Sequence, residues 1–181
     1  MDLGIAGKVA LVTGGSHGIG RSIADELGRN GCRVVVAARG QERIDETVDA
    51  IRAAGGQAAG VSADLLELDS YPRMVARATE LFDAPDIAIF TPVAPPSGMF
   101  SDFADADFQT AFHNVVTSFA HFVRAVSPAM KERQWGRIVT VGSGHGRLPG
   151  RRGTLGFDYV LANTVRPSGL GLSRSIADEL A

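Results

Sequence analysis

The apolar run Val9-Ala10-Leu11-Val12 leads straight into Thr13-Gly14-Gly15-Ser16-His17-Gly18-Ile19-Gly20, and this join constrains the fold more than any other stretch. A short apolar run suits a strand buried on both faces, and the glycines after it demand a turn and the start of a helix. Gly14 lets the chain leave the strand sharply. Gly18 lets backbone approach a pyrophosphate with no side chain between, and Gly20 lets the next helix pack closely on the sheet. The helix expected from about Ile19 to Arg29 turns its unpaired amides and positive dipole end toward the phosphates. An ordinary strand-to-helix connection can carry such glycines too. The reading adopted is a nucleotide cradle in which Ser16, His17 and Ile19 accompany Gly14, Gly18 and Gly20.

Apolar runs suited to buried parallel strands recur at 8–13, 33–38, 57–62, 86–90 and 137–141. Each is followed by a segment with helical spacing, at about 19–30, 41–54, 67–83, 104–132 and a last one reaching the C-terminus. This alternation predicts an α/β fold, a doubly wound parallel sheet of Rossmann type, in one domain over 1–181. With 45% hydrophobic and 21% charged residues in 181, the chain reads as an ordinary soluble domain. The words Arg21 to Leu27 and Arg174 to Leu180 are identical, but nothing else repeats.

A formal net charge of -2 gives no electrostatic case for nucleic acid or an anionic membrane, so a small molecule is the expected partner. There is no apolar run of about 18 residues and no signal-peptide pattern, so the default compartment is the cytoplasm. Cys32 is the only cysteine, which excludes a disulfide or thiolate metal site within one chain and reads as a buried core thiol. No metal is expected.

The glycine pattern resembles the short-chain dehydrogenase/reductase family, and further positions match in order. Ala63-Asp64-Leu65 resembles the family's adenine-binding segment after the third strand. Phe108 to Asn114 resembles its Asn-bearing fourth helix, Trp135 to Val139 its fifth strand, and Gly142-Ser143 the place of its catalytic serine. Taken singly, Asp64 also reads as a helix cap, Asn114 as a locally bonded helix residue and Ser143 as a loop hydroxyl. The resemblance implies strand order 3-2-1-4-5 and self-association through the fourth and last helices. It also implies two further strands and helices beyond Ala181, so the domain is expected to be incomplete at its C-terminus, with the fifth strand left as an unpaired apolar edge.

At the end of the second strand, Ala38 stands where an acid would accept hydrogen bonds from an adenosine ribose. Arg39 follows, and a guanidinium there can bind a 2'-phosphate bidentately, with His17 as a second donor, so NADP(H) is the expected cofactor. Arg39 also reads as the start of a polar surface loop.

The family pattern implies a tyrosine four residues before a lysine, donating a proton to a carbonyl while serine and asparagine organise the substrate side. This chain has no such pair. Counting from Tyr159 places Asn163 at the lysine position, whereas aligning on Gly171 to Ser175 places Arg166 there and Ala162 at the tyrosine position. The second register is preferred, because the first needs three extra residues inside a helix and would turn its buried face outward. Tyr159, Ala162, Asn163 and Arg166 fall near one helical face, so Tyr159 is the candidate proton donor with Arg166 supporting it electrostatically. Tyr159 also reads as a packing residue, and Pro167 disfavours helix at Arg166. Ser143, Tyr159, Asn114 and Arg166 thus form the candidate catalytic set.

The family's Asn-Asn-Ala-Gly after the fourth strand is replaced by Phe90-Thr91-Pro92-Val93, with Ala94-Pro95-Pro96-Ser97-Gly98 following. That tail and Asn163-Thr164-Val165-Arg166 resemble an atypical branch labelled 3-oxoacyl-carrier-protein reductases. The stretch Gly144 to Gly156, with Arg147, Arg151 and Arg152, reads as a lid for an acidic substrate or as a flexible charged loop. His145 within it is given no role. The expected function is NADP(H)-dependent hydride transfer between nicotinamide and a carbonyl or alcohol. The alternatives are a non-catalytic NADP-binding sensor or partner subunit, and an inactive fragment.

Overall fold

A computed structural model describes residues 3–147 and 158–181. These form five strands in the order β3-β2-β1-β4-β5, a parallel sheet flanked by helices. The strands are β1 (Val9–Thr13), β2 (Arg33–Ala38), β3 (Gln57–Ser62), β4 (Ile87–Phe90) and β5 (Arg137–Thr140). The helices are α1 (Gly18–Arg29), α2 (Gln41–Ala53), α3 (Ser70–Leu81), α4 (Asp105–Phe112), α5 (Ser118–Glu132) and α6 (Val160–Leu180). The expected sheet order and strand positions agree with this architecture. The chain divides into two compact units, Met1–Thr91 with Phe122–Val139, and Pro92–His121 with Thr140–Ala181.

In the first unit every residue of β1 is buried, as is all of β4, which is why these runs are continuously apolar rather than alternating. Each fully buried valine, leucine or isoleucine contributes about 1.5–3 kcal/mol relative to its exposed state. Tyr71 of α3, Phe90 of β4 and Phe122 of α5 form an aromatic trio, with the Phe90 and Phe122 centroids 5.3 Å apart. The Tyr71 hydroxyl donates to the Leu65 carbonyl at 2.8 Å, which satisfies its buried polar end. Cys32 is buried, and its Sγ faces the Ile5 carbonyl at 3.3 Å.

Asp86 fastens the start of β4 to its neighbours. Its Oδ2 accepts the Val9 amide at 2.9 Å, and its Oδ1 lies 3.5 Å from Arg133 and 3.8 Å from Lys8. Its own carbonyl accepts the Arg137 amide at 2.9 Å, at the entry to β5. Among the described residues β5 ends the strand order, and Val139 is 49% exposed there.

In the second unit Ala111, Val115, Val116, Leu161 and Val165 form a buried cluster joining α4 and the residues after it to α6. Two expectations need correction here. The helix read as continuous over 104–132 contains a π-helical segment at His113–Thr117 between α4 and α5. An extra residue per turn blurs the 3.6-residue period without ending the apolar pattern, so the sequence pattern hides it. The second concerns Pro167, expected to oppose helix at Arg166: α6 runs straight through both. Proline removes one ladder hydrogen bond, but buried Leu161 and Val165 anchor the helix before it. Ser168 Oγ also donates to the Thr164 carbonyl at 3.1 Å.

Candidate functional site

In the first unit the glycine turn has the shape its sequence demands. Gly14 and Gly18 hold φ of +64° and +54°, in the left-handed region that side chains resist. A Cβ on Gly18 would meet nothing within 4 Å, so the space above it is open. A Cβ on Gly20 would strike the Gly14 carbonyl oxygen, so α1 packs directly against the turn itself, a closer partner than the sheet. His17 occupies the N-cap position with extended backbone, and its side chain makes no capping hydrogen bond. Among the described residues the amides of Gly18, Ile19 and Gly20 thus have neither an intrahelical nor a side-chain acceptor, whereas that of Arg21 donates to the His17 carbonyl at 3.2 Å. Ile19, one residue inside, is 64% exposed, while Ser16 is buried.

Arg39 follows the last residue of β2, exposed, and its guanidinium makes no hydrogen bond or ion pair with the described residues. Asp64 is partly committed locally, because its Oδ1 accepts the Leu66 amide at 3.0 Å. Leu65 is buried, so its side chain belongs to the core. Thr91 Oγ1 is the one buried side-chain polar atom without a partner among the described residues. Thr91 also packs against Gly14, whose Cβ would lie 3.3 Å from that of Thr91. Open space over Gly18, an uncapped helix start, a free guanidinium and an orphaned hydroxyl fit a phosphate-bearing dinucleotide, and no observed side chain opposes it.

The second unit holds a cavity of about 190 Å³ whose lining includes Ser143, Arg147, Arg166, Pro92, Val115 and Phe119. Arg166 is half-buried, and burial lowers its pKa from the ordinary value. Its guanidinium has one carbonyl acceptor, that of Val141 at 3.4 Å, and no carboxylate partner among the described residues. Ser143 Oγ lies 2.9 Å from His145 Nδ1 and accepts the His145 amide at 3.4 Å. The His145 ring in turn lies 5.0 Å from that of Tyr159.

Of the four expected catalytic residues, Ser143 and Arg166 line this cavity, whereas Tyr159 and Asn114 are not among its lining residues. Tyr159 was expected on the face of a helix. It stands instead at the N-cap of α6, held by an isolated parallel bridge between Gly98 and Tyr159. The Pro-Pro-x-Gly tail thus ends on the backbone beside Tyr159. Asn114 lies in the π-helical segment, directly before the lining residue Val115. Such segments often mark functional sites because they re-aim one side chain. The proposed lid falls largely at 148–156, outside the described residues; only Gly144 to Arg147 are seen.

Residues 8–155 match the family described as short chain dehydrogenase. The chain belongs to that family. It is 30% identical over 149 residues to the ketoacyl reductase HetN of Nostoc sp., covering 82% of this chain and 50% of that one. The structure of L-sorbose reductase from Gluconobacter frateurii, complexed with NADPH and L-sorbose, superposes with a TM-score of 0.91 at 25% identity. That match covers 99% of this chain and 66% of the reductase. A 7α-hydroxysteroid dehydrogenase complexed with NADH and 7-oxo glycochenodeoxycholic acid gives 0.89 at 26% identity, over 97% and 66%. This short-chain dehydrogenase chain therefore spans half the length of the Nostoc relative and about two thirds of each solved structure.

Sequence reasoning missed two features of the sites. Thr91 was read only as a departure from pattern, although a threonine directly after a buried strand can place a hydroxyl at the sheet's end. His145 was passed over as a lone loop histidine, yet the Ser-x-His spacing in a tight turn brings an imidazole back onto the hydroxyl two residues earlier. No helix among the described residues is long and apolar enough to cross a membrane.

Proposed function

We propose that this chain serves as an oxidoreductase that prefers NADP(H) and acts on a carbonyl or alcohol. The observation that carries the cofactor reading is the uncapped start of α1 beneath the open space at Gly18, with the exposed guanidinium of Arg39 at the end of the neighbouring strand β2. In this reading Gly14 to Gly20 hold the pyrophosphate with backbone amides, Arg39 takes the 2'-phosphate with help from His17, and Asp64 and Leu65 border the adenine. The cofactor, when bound, supplies or accepts hydride. Ser143 polarises the substrate oxygen, Asn114 helps order the substrate side, and Arg166 keeps a permanent positive charge in the cavity wall. Tyr159, the proton donor expected from the sequence, stands at the N-cap of α6 and is not among the residues lining this cavity, so this reading leaves the proton to a donor within the cavity.

A second reading, a non-catalytic NADP-binding protein, draws support from Ala162. This buried methyl stands where the family's phenol is expected. Titration with NADPH followed by turnover assays on ketones and 3-oxoacyl thioesters separates the two. Hydride transfer with NADPH favoured over NADH is the expected result, and tight binding without transfer would favour the second reading. Tyr159→Phe keeps the ring that packs on His145 and is expected to retain most of the activity, whereas loss of activity would return the phenol to the mechanism as the proton donor. Self-association through α4, α5 and α6 is proposed as well, and sedimentation of the purified chain tests it.

A further inference from the structure

We infer that His145 is the proton-relay partner of Ser143, so that the serine hydroxyl delivers the proton to the substrate oxygen and the imidazole restores it. This rests on the oxidoreductase reading given above. Consider which cavity-lining side chains can handle a proton. Pro92, Val115, Phe119, Val141 and Leu170 are apolar, and the guanidinium groups of Arg147 and Arg166 offer hydrogen-bond donors to hold a substrate. Two hydroxyls remain, those of Thr140 and Ser143. A hydroxyl alone is too weak an acid to give up its proton unless a base or acid behind it replaces what it loses. Among the described residues only Ser143 has such a group, the His145 Nδ1 at 2.9 Å.

The local chain builds this pair. Ser143 is extended, with φ -147° and ψ 156°, and caps the short turn Gly144–Gly146. That turn carries the imidazole back over the serine hydroxyl, and the His145 amide donates to the same oxygen at 3.4 Å. Tyr159 packs on the imidazole from the start of α6, with centroids 5.0 Å apart, and limits its orientation. The usual donor position, four residues before Arg166, holds Ala162 and supplies no proton.

In the reducing direction, a bound reduced nicotinamide cofactor would supply hydride to the carbonyl carbon, while the carbonyl oxygen takes the Ser143 hydroxyl proton. Ser143 Oγ takes the Nδ1 proton of the His145 imidazolium in the same event. The alcohol leaves, the cofactor is oxidised, the serine is unchanged, and the imidazole is neutral until it regains a proton from solvent. His145 acts through Ser143, so it is a positioning and relay residue that need not touch the substrate.

The test compares His145→Ala and His145→Asn with the unaltered chain. His145→Ala is expected to lower kcat on the order of 100-fold, with NADPH affinity unchanged by fluorescence titration. Added imidazole should restore part of the rate in a saturable way. His145→Asn keeps a hydrogen-bonding atom near the Nδ1 position but cannot carry a proton, so it should remain as slow as His145→Ala. Full activity in His145→Asn, or absence of imidazole rescue, would overturn the relay and leave a structural role. The ¹⁵N resonance of His145 Nδ1 in the resting protein should move in Ser143→Ala, and a resonance that does not move would also overturn it. An unaltered chain that binds NADPH but transfers no hydride would overturn the oxidoreductase reading itself. That outcome differs from an active enzyme indifferent to His145.

Discussion

The α-carbon of Gly20 faces the carbonyl oxygen of Gly14 with no room for a methyl group between them. The phosphate turn and the first turn of α1 are therefore one packed object. Gly20→Ala must push the Gly14 carbonyl aside, and overpacking of this kind costs about 1–3 kcal/mol. Gly18→Ala differs, because its Cβ meets nothing, and only the positive φ opposes it at a cost of about 1–2 kcal/mol. Urea unfolding should show both losses. NADPH titration is expected to show a further loss, at least tenfold in Kd, for Gly18→Ala in excess of its stability effect, because the new methyl fills the open space assigned to phosphate.

Asp86 gives a graded prediction. Asp86→Ala leaves the Val9 amide without its acceptor, which costs about 1–3 kcal/mol when the group is shielded from water. Asp86→Asn keeps an acceptor for that amide and loses only the contacts to Arg133 and Lys8. Those partners are partly exposed, and such pairs are worth about 0–1 kcal/mol. The expected order of urea midpoints is unaltered, then Asn, then Ala; equal losses for the two variants would mean the ion pairs dominate.

How far the sequence carried the reading depends on which part of the chain used backbone and which used side chains. The strand runs and the glycine turn were legible because burial on both faces and positive φ each leave a compositional mark. At Val9 to Val12 and at Gly14 and Gly18 the pattern and the geometry coincide. The chemical end was less legible, because its geometry depends on features without periodic signature. The π-helical segment at Asn114 hides inside an apolar helix pattern. Tyr159 was placed on the face of a helix, whereas it stands at the N-cap position just before that helix, with its backbone bridged to Gly98. Pro167 illustrates the opposite error: an intrinsic preference against helix was overridden by the burial of Leu161 and Val165 on the same element.

Cys32 supplies a pH prediction. Burial first, and the Asp86 carboxylate second, raise its thiol pKa above the ordinary value. The folded chain thus holds the thiol proton more tightly than the unfolded chain does. Its contribution is fully present below the unfolded thiol's value of about 8.5, and is lost as pH rises through the higher folded value. Urea midpoints should fall on the alkaline side of that range, and Cys32→Ala should show a shallower fall. An identical alkaline slope in both proteins would assign the effect to other groups.

Arg39 tests the cofactor preference directly. Charge-assisted hydrogen bonds are worth about 1.5–3 kcal/mol, so Arg39→Ala should weaken NADPH binding about 10- to 100-fold and leave NADH binding nearly unchanged. An equal loss for both cofactors would mean that the residue shapes the loop after β2 and does not read the 2'-phosphate.

The register of α6 can be tested by restoring what the family pattern expects. Ala162 and Arg166 lie one turn apart on the same helical face, and Arg166 lines the cavity. Arg166→Lys combined with Ala162→Tyr should therefore aim a phenol toward the cavity with a lysine behind it. Ala162 is 7% exposed, so the larger ring will lower thermal stability by overpacking. The expected kinetic outcome is nevertheless a rise in kcat, because the site gains a second proton donor. The decisive comparison is the His145→Ala penalty in the two backgrounds. If Ser143 and His145 deliver the proton in the unaltered chain, the restored phenol offers a parallel route, and removing His145 should cost markedly less there. An undiminished penalty, with no gain in kcat, would show that residue 162 does not face the reacting atoms and that the register beginning at Tyr159 describes the site.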